Sequence, residues 1–98
     1  MKFPEAYHSI QNFMGCSTDD ILIAPIRFSD RIPIRKWRNE QTFHLRQQGL
    51  ISKKHQDKYF KQVVFPLFQE KHPSQLLFSI YLNGSLVGYG GLVHINWI

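Results

Sequence analysis

The most regular pattern in the chain runs from Ser52 to Phe68, where the apolar pairs Tyr59/Phe60, Val63/Val64 and Leu67/Phe68 recur every four residues. That spacing keeps all three pairs on one stripe of an α-helix and leaves Lys54, Asp57, Lys58 and Lys61 mostly off it. Ser52 suits the N-cap, where its hydroxyl can accept a backbone N–H. Pro66 lacks an N–H and crowds the carbonyl of Gln62, so a kink or a stop is expected near it. The KHPS stretch, residues 71–74, reads as the exit turn.

The period then changes from four to two. In QLLFSIYL, residues 75–82, Leu76, Phe78, Ile80 and Leu82 share one face of a strand, and Leu77, Ser79 and Tyr81 share the other. Asn83-Gly84 is a strong signal for a two-residue hairpin, because both residues tolerate positive φ. SLVGYGGLVHI, residues 85–95, then returns antiparallel. Upstream, DILIAPIRF, residues 20–28, is a short β-branched run that predicts a buried strand. Ser29 or Asp30 can cap a following helix, with Pro33 in its first turn and Ile34 and Trp37 on one face. That helix is expected to end between Asn39 and Phe43, and Gln48-Gly49 reads as a break. Residues 1–19 carry no clear period and read as a lead-in or short helix closing in the GCSTDD turn. The predicted order is strand, helix, helix, strand, strand: an α+β fold with a mostly antiparallel sheet over residues 20–98.

Composition narrows the classes. At 98 residues, with 43% hydrophobic and 14% aromatic positions, the chain makes one small domain with a core. No apolar stretch approaches the roughly 18 residues of a membrane span. The N-terminus lacks the apolar centre of a signal peptide, and Cys16, the one cysteine, has no internal partner, so a cytoplasmic setting is expected. The formal net charge of +5 attracts anions without naming one. Nucleic acid is a weak candidate, since the aromatics near the basic run at residues 53–61 fit the buried stripe better than a base-stacking platform. The five histidines have no metal-ligand spacing, so no metal is expected.

Residues 87–98 contain no Lys, Arg, Asp, Glu or Pro. Natural edge strands are usually blunted by such residues, so this one is expected to have a neighbour, either further sequence or a second copy of the chain.

The ordered series Pro25–Arg27, Asp30, Trp37-Arg38-Asn39, Ile51-Ser52, His55, Tyr59-Phe60 and Val87-Gly88 to Leu92 resembles the N-terminal half of a GNAT superfamily N-acetyltransferase. Within it, the chain is similar to the branch of ribosomal-protein and nucleotide-amino-sugar acetyltransferases. Tyr59 stands where many members carry Trp. The resemblance implies an enzyme moving acetyl from acetyl-CoA to an amine: a protein N-terminus, an amino sugar or a small amine. It also implies a (Gln/Arg)-x-x-Gly-x-(Gly/Ala) loop that holds the pyrophosphate of acetyl-CoA on backbone N–H groups. This chain has no such loop. Gly88, Gly90 and Gly91 lie within a strand and predict a bulge or a close backbone approach. No cofactor-binding residue is expected in this segment, and the 98 residues alone are expected to be inactive.

By resemblance, residues 38–48 face the acceptor. Arg38 and Asn39 can hold a phosphate or carboxylate, or else finish a helix. Arg46 and Gln47 in the connection are further acceptor candidates, with Trp97 near the end of the chain. His94 is a weak candidate for general base. His55 is expected to pack or hydrogen-bond. The competing reading is a small non-catalytic α+β binding module that dimerises through its last strand.

Overall fold

The computed structural model describes residues 3–41 and 49–96. Four strands, β1 (Cys16–Thr18), β2 (Ile21–Pro25), β3 (Leu76–Leu82) and β4 (Ser85–Leu92), form one sheet in the order β1-β2-β3-β4. Every neighbouring pair is antiparallel. Between β2 and β3 the chain leaves the sheet for α1 (Arg31–Glu40) and for a second helix. That helix is α2 (Lys53–Tyr59), a π turn (Phe60–Val64) and α3 (Phe65–Gln69) in unbroken succession.

β1 was not anticipated. It is three polar, exposed residues, too short for alternation to register, and it pairs with β2 across a turn in which Asp19 has φ 50°. The residues before it are more than a lead-in. Tyr7 is fully buried, stacks on Phe68 with centroids 3.9 Å apart, and holds the Leu77 backbone from both sides. Its hydroxyl donates to the Leu77 carbonyl at 2.8 Å and accepts the Leu77 N–H at 2.7 Å. A buried phenol needs such a partner. Burial also raises the Tyr7 hydroxyl well above the usual tyrosine pKa.

The long helix follows its stripe: Phe60, Val64, Leu67 and Phe68 are buried, with Tyr7, Ile26, Ile34 and Leu76 completing the core. Ser52 accepts the His55 N–H at 3.0 Å, the expected cap. Pro66 does not stop the helix. The turn ahead of it widens instead, with the Phe65 N–H reaching back five residues to the Phe60 carbonyl, and the helix runs on to Gln69. Such widening relieves the crowding a proline imposes on the preceding turn.

Asn83 (φ 50°) and Gly84 (φ 82°) make the hairpin turn as expected. A bulge follows, where Ile80 pairs with Gly88 and Tyr81 with Leu86, leaving Val87 unmatched. At Gly91 a side chain would collide with the carbonyl oxygen of Leu76, which is the close approach predicted for the glycine cluster.

The two sheet faces differ in cover. Ser79 and Tyr81 reach Asp30, and Tyr89 meets Trp37 of α1, so the more polar face of β3 lies beneath the helices. The opposite face, which carries Ile21, Ile23 and Leu82, remains 42, 37 and 43% exposed at those positions.

Candidate functional site

The α1 helix is anchored along its length by Arg31, Arg35 and Asn39. Near its start, Arg31 Nε meets Asp57 Oδ1 at 2.6 Å, and its guanidinium lies 3.9 Å from the Phe28 ring. The same residue donates to the Phe28 carbonyl, while Gln56 of α2 donates to the Arg31 carbonyl. The Arg31 hydrogen bond holds the Asp57 carboxyl below its ordinary pKa. One turn on, Arg35 donates to the Ile51 carbonyl at 3.1 Å. Asn39 then brackets Ile51, donating to its carbonyl at 3.0 Å and accepting its N–H at 2.7 Å. Asn39 therefore fixes the lead into α2, with both ends of its amide engaged on backbone.

Arg38 differs from its neighbours. It is half-buried, and its side chain makes no hydrogen bond or ion pair with any of the described residues. It stands between two hollows. One, of about 390 Å³, is lined by Gly49, Leu50, Ile51, His55, Gln56 and Tyr59 as well as Arg38. The other, of about 540 Å³, runs between the last turn of α1 and β4. Its walls are Trp37, Arg38 and Gln41 on one side and Leu86, Val87, Gly88 and Tyr89 on the other. Trp37 and Tyr89 close its floor with near-parallel rings, 11° apart and 6.4 Å between centroids. The β4 bulge bends the strand at this point and presents Val87 to solvent. An unpaired guanidinium beside an aromatic floor can take an oxyanion in a two-pronged hydrogen bond while the rings hold an apolar body.

His94 does not join this groove. It follows β4 in a left-handed conformation (φ 53°), exposed, in a separate hollow with Ser74, Gln75 and Val93. It lies beyond the end of β4, and its hollow shares no lining residue with the groove. His55 is exposed on the far side of Arg38, its backbone held by the Ser52 cap. Arg46, Gln47 and Trp97 lie outside the described residues.

A second polar cluster escaped the sequence reading. Asp30, 4% exposed, accepts hydrogen bonds from Ser79 Oγ at 2.6 Å, Tyr81 Oη at 2.6 Å and the Arg27 backbone N–H at 2.9 Å. Its side chain thus bonds back to Arg27 and across to β3, and α1 has no side-chain cap of the kind anticipated from Ser29 or Asp30. Arg27 sits 4.7 Å from the centre of the Tyr81 ring. Burial, then the hydrogen bond to Asp30, push the Tyr81 hydroxyl up to about 12. Every polar atom of this cluster is matched, so it is a tie between the start of α1 and the middle of the sheet.

Among the described residues no group of three His, Cys, Asp or Glu side chains could hold a metal ion, and no helix is long and apolar enough to cross a membrane. Comparison with protein-family models, with curated proteins and with solved structures finds no match.

Proposed function

We propose that this chain is the acceptor-binding portion of a GNAT-type N-acetyltransferase. The observation that carries the reading is the one-sided cover of the sheet. Two helices inserted between the antiparallel neighbours β2 and β3 cover one face, while the other keeps exposed Ile21, Ile23 and Leu82. A sheet covered by helices on one face and apolar on the other suits a three-layer sandwich, with further helix on its open side. The expected acetyltransferase fold has that form, and the Arg38 groove lies on its acceptor side.

The residues present do not fit the pyrophosphate of acetyl-CoA. Gly88, Gly90 and Gly91 are paired in β4 against β3, inside a strand and not in a loop opening a helix. No step involving acetyl-CoA is therefore assigned to these residues. Their part is to orient the acceptor: Arg38 takes its charged group, and the Trp37–Tyr89 floor fixes the body that bears the amine.

The coding DNA beyond the Ile98 codon tests this. A continuing frame with another strand and a (Gln/Arg)-x-x-Gly-x-(Gly/Ala) loop is expected, encoding a protein that releases CoA from acetyl-CoA when given an amine. A stop codon there, or a longer protein that transfers no acetyl, overturns it.

The unpaired outer edge of β4 favours a second reading: a non-catalytic module that pairs with a copy of itself through that strand. Its test is the association state of the chain.

A further inference from the structure

We propose that the groove between α1 and β4 selects an acceptor carrying an oxyanion, a carboxylate or a phosphate, attached to an aromatic or apolar body. The inference rests on the acceptor-binding reading and names the class of molecule bound.

Four arginines lie between Arg27 and Arg38, and three are engaged. Arg27 lies over Tyr81, Arg31 is paired with Asp57, and Arg35 is bonded to the Ile51 carbonyl. Arg38 alone among them has no partner in the described residues, and it is the one that lines the groove. Gln41, Leu86, Val87, Gly88, Trp37 and Tyr89 complete the walls and include no carboxylate. A half-buried guanidinium without a counter-ion keeps its fork of N–H donors open to the groove, where an anion from outside can displace water from it. Asp57 serves Arg31 and Asp30 serves Ser79 and Tyr81, while Glu40, exposed at the end of α1, does not line the groove.

The floor adds the second requirement. With centroids 6.4 Å apart, the Trp37 and Tyr89 rings are already in mutual contact, so no third ring enters between them. A bound body lies along the exposed side of Tyr89 and against Leu86 and Val87, with its oxyanion toward Arg38. The guanidinium fork fits the planar pair of carboxylate oxygens and also two phosphate oxygens, and both are more strongly held than a neutral amide.

Three small probes separate these possibilities: 4-(aminomethyl)benzoate, phenyl phosphate and 4-methylbenzylamine, which has the ring and the amine but no oxyanion. Each is titrated into the ¹⁵N-labelled chain, following the Arg38 Nε–H and Trp37 Nε1–H signals. Saturable shifts of both signals are expected with the two anionic probes, and binding of the amine at least about tenfold weaker, as loss of a charge-assisted hydrogen bond implies. Tighter binding of the phosphate points to a phosphorylated acceptor, and tighter binding of the benzoate to a carboxylate one. Arg38→Gln is expected to weaken the anionic probes about tenfold, while Lys36→Gln, on the exposed side of the same helix, leaves them unchanged. Equal binding of all three probes overturns the proposal, as does the absence of saturable shifts or shifts confined to Lys53–Lys61. The titration needs no acetyl transfer. Groove binding without transfer by the longer protein would retire the enzymatic reading alone.

Discussion

Asp30 is the residue on which most polar bonds of the interior converge. Replacing it with Ala leaves the Ser79 hydroxyl, the Tyr81 hydroxyl and the Arg27 N–H without their acceptor in a buried place. The expected cost is about 3 kcal/mol, read as a lower urea midpoint at neutral pH. Tyr81→Phe should lose less, about 1 kcal/mol, because Asp30 keeps two donors. The tyrosine also gives a pH signature. In the folded chain its hydroxyl holds its proton to about pH 12, against 10.0 for the free side chain. Between those values the unfolded chain has released a proton that the folded one retains, so stability falls as pH rises through that window. The gap between wild type and Tyr81→Phe should therefore narrow from pH 9 to pH 11, which urea midpoints at the two pH values measure. None of this cluster was legible in the sequence. Asp30 was visible as a local cap candidate and as one position of the resemblance, and its partners lie 49 and 51 residues away. Ser79 and Tyr81 read only as sharing one side of a strand with Leu77, and their bonds to Asp30 place both hydroxyls in the interior.

Among the elements, β4 shows how far local pattern reaches. The hairpin turn and the meaning of the glycines were readable, because positive φ and close approach are backbone demands that few other residues meet. Neighbouring glycines nevertheless differ in ways only the fold reveals. A methyl group at Gly91 strikes the Leu76 carbonyl, while at Gly90 it meets nothing within 4 Å. Gly91→Ala is expected to cost about 2 kcal/mol, as forced overpacking does. Gly90→Ala should be neutral or slightly stabilising, and thermal unfolding of the pair checks both. The α1–α2 junction gives a similar contrast. Asn39 was legible as either a ligand contact or a helix-end residue, and its two bonds to Ile51 give it a structural task. Asn39→Ala should speed hydrogen exchange at the Ile51 amide by about tenfold, in keeping with the loss of one to two buried hydrogen bonds. The Arg38 groove needs both elements together. Trp37 and Tyr89 are 52 positions apart, and no periodicity joins them.

For the whole molecule, the decisive property is a sheet left open in two directions. The lack of charge after Val87 predicted an edge in want of a neighbour, and β4 is indeed the last strand of the sheet. The bare face could not be foreseen, since alternation in β3 names two faces without saying which one the helices cover. Each opening offers a route to association, and they can be told apart. Lysines at Val87 and Leu92, both exposed on β4, oppose strand pairing while leaving Ile21, Ile23 and Leu82 of the bare face in place. Lysines at Ile23 and Leu82 make the face polar while leaving the edge intact. The 98-residue chain is expected to gain mass with concentration in sedimentation equilibrium. The Val87→Lys/Leu92→Lys variant should return it to the monomer, and the Ile23→Lys/Leu82→Lys variant should only weaken association. The edge dominates in this expectation because a continuous run of backbone donors and acceptors pairs in register, whereas an apolar face of three half-exposed side chains offers little directional preference. A chain that stays monomeric at every concentration would remove the self-pairing reading. A face variant that alone restores the monomer would instead make that surface the seat of contact, the surface that an acetyltransferase sandwich would cover with its own further helix.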